Sequence, residues 1–212
     1  MKFSKENQRK LDYLDNEALE KFIKKAAGIC RPEKITILTD SREDLDYVRN
    51  LALKTESEIP LKFGKHSCHF DGYHDQARDK ENTKYLLEEE SSLDKNRNYM
   101  PREQGSGEIL SELKGSMKGK EMLVKFYTLG PNNSDFSIPA LQITDSAYVL
   151  HSEDLLYRQG YQEFKNLNGS NKFFSFLHSA GELENNVSKN IDQRKIYIDL
   201  KSERVFSVNT QY

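Results

Sequence analysis

No stretch of the 212 residues approaches the roughly 20 consecutive apolar side chains a membrane-spanning helix needs. The opening MKFSKENQRK has no apolar centre of the kind a signal peptide carries. A membrane partner is therefore not expected, and the cytoplasm is the expected compartment. An excess of either charge is also missing: 32 Lys plus Arg stand against 34 Asp plus Glu, a net charge of −2. Phosphate neutralisation needs a basic surplus, so no nucleic-acid partner is expected. Only two cysteines occur, Cys30 and Cys68; they are far apart, indicate no disulfide framework, and are expected as reduced thiols. Glycine is absent from TDSRED (residues 39–44), where a parallel dinucleotide-binding fold would place its tight turn. The G-x-x-x-x-G-K-[ST] phosphate cradle is absent too, because GSMKGK and GPNNSD fail its spacing and its final Lys-Ser/Thr.

What is present can build a core. Eleven Phe and eleven Tyr within a chain of 31% charged residues exclude global disorder and suit a soluble protein with a wet surface. At this length one domain spanning residues 1–212 is expected, with 1–15 as a flexible lead. Over Asn16–Ile29, Leu19, Phe22, Ile23, Ala26 and Ala27 recur at spacings of three and four, with Asn16 placed as N-cap; this predicts an amphipathic helix. Ile35–Leu38 reads as a short buried strand. Asp40 or Ser41 then caps a second helix with Leu45, Val48, Leu51 and Ala52 on one face. Helix, strand, helix is the start of an α/β (α+β-like) chain.

Glu88–Gly107 is polar and reads as a long excursion with little buried surface, followed by a short helix over Glu108–Leu113. Met122–Leu129 and Ile138–Ile143 are strand patterns joined by the turn-rich GPNNSD, a hairpin-like pair. A helix is predicted over Glu153–Gln159, and another, in the core, over Asn171–Ser179, on the strength of Phe173, Phe174, Phe176 and Leu177. IYIDL and VFSVNTQY are strand patterns separated by KSER.

Two clusters invite chemistry. His66, Cys68, His69 and His74 have zinc-ligand side chains, but their spacing is irregular and the intervening loop short, so no structural zinc is expected. Thr144, Asp145 and Ser146 combine hydroxyls with a carboxylate. No histidine is placed in the sequence to serve a nucleophilic serine, and the three suit a turn and an N-cap, so they read as structural support of a cleft. His151 reads as a packing or surface residue.

Several blocks together carry a resemblance. MKGK, then a strand, then LGP, then a strand closing on TDSAYV is similar to the N-terminal domain of GTP-type phosphoenolpyruvate carboxykinases. DQARDKENT resembles that family's substrate-binding loop, and FLHSAG its aromatic-to-His-Ser pattern. The similarity spans about residues 17–212, and two departures stand out: Lys80 where the family has an acidic residue, and Ala147 where it usually has proline. The resemblance implies a mixed sheet flanked by helices. It also implies conversion of oxaloacetate and GTP to phosphoenolpyruvate, GDP and carbon dioxide in gluconeogenesis, through an enolate held by a divalent metal, manganese or magnesium. It places the substrate-carboxylate arginine on Arg78, a residue type whose planar fork grips a carboxylate bidentately and keeps its proton. Without the resemblance, Asp75, Arg78, Asp79, Lys80 and Glu81 read as a solvated, mutually paired charge cluster.

In the family the last strand runs into Tyr-Gly-Gly-Asn, which places a substrate-facing tyrosine on Tyr212 and makes the chain look truncated before its nucleotide-binding domain. The family's Lys, His and Asp metal ligands lie beyond that point. The 212 residues are therefore expected to hold no catalytic residue of their own, to bind neither GTP nor metal alone, and to be inactive without the C-terminal partner. The alternatives are a non-catalytic binding or interaction module derived from that domain, or part of a pyrophosphate-dependent carboxykinase.

Overall fold

The computed structural model describes residues 3–72, 79–88 and 97–211. In chain order its elements are α1 (Lys5–Leu14), α2 (Glu17–Cys30), β1 (Lys34–Ile37), α3 (Arg42–Lys54), β2 (Ile59–Pro60), β3 (Ser67–Cys68), β4 (Thr83–Leu87), β5 (Tyr99–Pro101), α4 (Arg102–Glu112), β6 (Glu121–Leu129) and β7 (Ile138–Thr144). They continue with α5 (Ala147–Leu156), β8 (Arg158–Gln159), α6 (Tyr161–Asn166), β9 (Phe174–Ser179), β10 (Leu183–Glu184), β11 (Val187–Ser188), β12 (Lys195–Asp199) and β13 (Arg204–Val208). Among the described residues one mixed sheet runs β1-β6-β7-β9-β13-β12-β4-β5, with β8 added to β6. The β6–β7 and β12–β13 pairs are antiparallel, whereas β1–β6, β7–β9, β9–β13, β12–β4 and β4–β5 are parallel. This is the mixed sheet between helices expected for an α/β chain.

The alternation along β6 sends its side chains to two layers. Met122, Val124 and Phe126 join the larger core under α1, α2, α4 and α6, while Leu123 and Tyr127 join a smaller one under α3 and α5. Two of the predicted helix starts are as read: the Asn16 side chain accepts from the Leu19 amide at 3.0 Å, and Ser41 accepts from the Asp44 amide at 3.1 Å. Each such cap contributes about 1 kcal/mol by satisfying an orphan donor.

Four readings change. Residues 5–14 are not a loose lead but a helix capped by Ser4, whose Leu11 and Leu14 are buried. Its Asn7 amide donates to the Ile35 carbonyl at 2.7 Å and accepts from the Ile37 amide at 3.0 Å, covering the open edge of β1. An amphipathic helix with that edge to satisfy docks rather than frays. The polar excursion shortens, because β5 occupies 99–101 and α4 begins at Arg102, through Gly105 and Gly107. Gly105 sits where an added Cβ would strike Leu86 Cδ2 and come within 2.9 Å of Met100 Sδ; tertiary packing against β4 and β5 thus overrides its low helix propensity. The helix expected over 153–159 instead spans 147–156, started by Ser146. The core helix expected over 171–179 is the strand β9, held between β7 and β13. A short apolar run has no period that separates helix from strand, and here non-local pairing decides.

Candidate substrate edge

Strands β7, β9 and β13 are parallel and end together, with Ile143 opposite Leu177 and Ser179 opposite Val208. The antiparallel β12 and its partner β4 begin at that same end, where Lys195 pairs with Val208 and Ile196 with Thr83. Chain segments from six parts of the sequence therefore meet along one sheet edge: Asp79, Lys120, Asp145, Ala180–Gly181, Arg194 and Asn209–Gln211.

Asp145 organises one half of the edge. Its side chain is wholly buried and pairs with Lys120 Nζ at 2.7 Å, while Ser179 Oγ donates to it at 2.8 Å and the Ala180 amide at 2.9 Å. Lys120 also donates to the Gly181 carbonyl. One carboxylate thus fixes the ends of β7 and β9 to the start of β6 through charge-assisted bonds. The turn beyond β9 needs a left-handed residue: Gly181 has φ +69°, and a Cβ there would strike Asn209 Oδ1.

A histidine missed by sequence reasoning sits beside it. His178 is buried, with Nδ1 2.7 Å from Thr144 Oγ1 and Nε2 2.8 Å from the Thr210 carbonyl. A carbonyl only accepts, so Nε2 carries a proton; in the neutral ring Nδ1 then accepts from the Thr144 hydroxyl, which in turn accepts from the Ser146 amide at 3.0 Å. Thr144 is fully buried, so this relay ties β7 to the segment after β13 and offers no nucleophile to a substrate. The residue pattern FLHSAG carried the signal, but read as a helix it could not place the imidazole. Ser146 caps α5, accepting from the Val149 amide at 3.3 Å, and Ala147 takes the first helical position. Proline fits that position equally well, which makes the departure at 147 conformationally neutral.

Arg78 and Tyr212 lie outside the described residues. Their described neighbours are anchored on this edge: Asp79 pairs with Arg194 and accepts from the Asn82 amide at 3.1 Å, and the Gln211 side chain donates to the Asn186 carbonyl at 2.8 Å. Burial pushes the Asp79 carboxyl up, but the hydrogen bonds from Asn82 and Arg194 outweigh it and hold the group below the usual carboxylate range. Among the described members of the charge cluster read in the sequence, Asp79 is held in such pairing.

Elsewhere, His66 Nδ1 faces the Gly64 carbonyl at 3.1 Å and His69 Nδ1 the Ser57 carbonyl at 2.6 Å, with the His69 ring stacked 3.5 Å from Tyr148. Cys68 lies in β3, and His74 is outside the described residues. His151 Nδ1 meets Glu58 Oε1 at 2.6 Å, so it pairs rather than merely packs. Among the described residues no group of three or more His, Cys, Asp or Glu is arranged to hold a metal. The sequence carries no G-x-x-x-x-G-K-[ST] run. Among the described residues no donor set is assigned to the GTP or the divalent metal that the resemblance implies for a complete enzyme. Among the described residues no helix is long and apolar enough to cross a membrane.

Comparison with known proteins agrees with this architecture. Residues 21–212 match the family model of the phosphoenolpyruvate carboxykinase N-terminal domain. The chain is 50% identical over 209 residues to the phosphoenolpyruvate carboxykinase (GTP) of Pyrococcus horikoshii, covering 98% of this chain and 34% of that protein. It is 51% identical over 209 residues to the enzyme of the same name from Thermococcus kodakarensis (98% and 33%), and 46% identical over 204 residues to that of Sulfurisphaera tokodaii (96% and 32%). The chain thus spans about a third of the length of the curated relatives it matches. With a family model covering nearly all of it, and a mixed sheet whose strands converge on one edge, the chain belongs to the phosphoenolpyruvate carboxykinase N-terminal domain family.

Proposed function

We propose that this domain supplies the substrate side of a GTP-dependent phosphoenolpyruvate carboxykinase, which turns oxaloacetate into phosphoenolpyruvate. In this reading Arg78 grips a substrate carboxylate through its two-pronged guanidinium, and Tyr212 lies beside it as an aromatic edge and hydroxyl that position the substrate. The observation that carries it is the convergence of Asp79 and Gln211, each one residue from a proposed contact, on the strand-end edge organised by Asp145 and His178. A carboxylate grip gains from such a frame, because a displacement of an ångström at the reacting centre costs orders of magnitude in rate.

Phosphoryl transfer depends on charge neutralisation around the phosphates, and in this reading a separate nucleotide-binding domain provides it. The test is a coupled assay for phosphoenolpyruvate with oxaloacetate, GTP and manganese. The 212-residue chain is assayed alone and with the separately produced remainder of the Pyrococcus horikoshii relative. Product is expected only in the combination, and is expected to disappear on Arg78→Ala. Product from the chain alone, or a combination indifferent to Arg78→Ala, refutes the assignment.

A further inference from the structure

A cavity of about 700 Å³ opens between α2 and α4 over β9, β12 and β13. It lies at the opposite end of the sheet from the substrate edge: Arg204, on its wall, begins β13, whose last residue Val208 is at that edge, roughly 13 Å away by strand rise. Phe22, Leu110 and Phe206 give the cavity an apolar wall, and its volume lies within the range of small-molecule sites.

Three cations, Lys25, Arg102 and Arg204, and three carboxylates, Glu88, Glu103 and Asp199, line it, but their pairing is uneven because Lys201 from outside the lining takes Glu88. Arg102 is engaged, with Nε and Nη2 each 2.8 Å from an oxygen of Asp199, and Asp199 also accepts from the Ser202 amide and hydroxyl. Glu88 is held by Lys201 at 2.5 Å. Lys25 and Glu103 are exposed to solvent at the mouth. That leaves Arg204, half-buried, its guanidinium 4.7 Å from the centre of the Phe22 ring. Among the described residues no carboxylate is within ion-pair reach of it, and the ring face compensates only part of a desolvated charge. Burial, opposed by the charge of Asp199 and reinforced by that of Arg102, draws Arg204 below its ordinary pKa.

We propose that this cavity binds a singly charged amphipathic acid, its carboxylate on the fork of Arg204 and its aliphatic or aromatic body between Phe22, Leu110 and Phe206. One uncompensated guanidinium matches one negative charge, whereas a phosphate monoester near −2 would stay undercompensated beside Glu103 and Asp199. The site is distinct from the substrate edge and stands whether or not the carboxykinase reading holds.

Octanoate is the probe, titrated calorimetrically into the 212-residue chain beside octanol and octyl phosphate. Saturable one-to-one binding of octanoate is expected, weakened at least tenfold by Arg204→Gln, while octanol binds more weakly than octanoate and equally to both proteins. Leu110→Trp, which fills the cavity and leaves Arg204 in place, is expected to abolish octanoate binding, and it decides the question if Arg204→Gln does not fold. The proposal is overturned if wild type shows no saturable octanoate binding, if either folded variant binds octanoate as wild type does, or if octyl phosphate binds more tightly than octanoate.

Discussion

Replacing Glu153 by glutamine should make the domain more stable, and more so as pH rises. On α5, beneath the smaller core, one cation serves several acids. Lys125, on β6, is fully buried and lies 2.5 Å from Asp154 without hydrogen-bond alignment; Asp154 also accepts from Tyr127 and Gln159, each at 3.0 Å. Asp40 lies close enough for its charge to act on Lys125, and it accepts from the Tyr161 amide at 3.1 Å. Glu153 itself is partly exposed as a residue, but its Oε2 is sealed from solvent and unpartnered. Burial first, and then the neighbouring Asp154, push its carboxyl from 4.5 up to about 8, against the pull of Lys125.

An acid with a raised folded pKa loses nothing below the unfolded value. Between about 4.5 and 8 the unfolded chain gives up the proton while the folded one keeps it, so stability falls as pH climbs through that window. At neutral pH the loss is about 3 kcal/mol, from 1.36 kcal/mol per pKa unit. Glutamine keeps the shape of the protonated acid and has no proton to lose. Thermal unfolding followed by circular dichroism should therefore give nearly equal midpoints for wild type and Glu153→Gln at pH 4.5. By pH 7 the variant should unfold about 6–12 °C higher, given the few degrees per kcal/mol typical of chains this size. Groups that titrate alike in both proteins drop out of the difference. A gap that stays constant from pH 4.5 to 8, or a variant less stable throughout, would refute the reasoning.

Asp145→Ala should cost about 3 kcal/mol, because a buried acceptor is lost beneath Lys120, Ser179 and the Ala180 amide; Asp145→Asn should cost clearly less, and urea denaturation separates the two. Within α4 the two glycines should answer oppositely to alanine. Gly105→Ala overpacks against Leu86 and Met100 and should lose about 1–3 kcal/mol, whereas Gly107→Ala, with open space at its Cβ, should gain up to about 1 kcal/mol. Equal shifts in the same denaturation experiment would show that packing does not set the difference.

Local signals were legible where a short-range rule sufficed. Asn16 and Ser41 announce helix starts through their own side chains, and the alternation of β6 and β7 around GPNNSD specifies a hairpin without reference to the rest of the chain. The failures share one cause, dependence on distant partners. Phe174–Leu177 becomes strand because β7 and β13 flank it, α4 keeps a glycine at 105 because Leu86 and Met100 leave room for nothing larger, and α1 is ordered by the edge of β1. The candidate edge was legible only in its motifs. TDSAYV and FLHSAG mark Asp145 and His178, but that one would fix Lys120 and the other the Thr210 carbonyl follows from the sheet order, which no spacing in the sequence encodes.

That strand order also bears on how the domain assembles. Among the described strands β13 alone bridges the half-sheet β1-β6-β7-β9 and the half-sheet β12-β4-β5, and it is the last of them to be synthesised. Until residues 204–208 are available, β9 presents an unpaired edge and β4 and β5 lack any attachment to the larger half. Open edges of this kind are where nascent chains pair wrongly. Closure of the sheet therefore depends on β13, and the pairing that seats it is the same one that delivers Thr210 to His178 at the candidate edge.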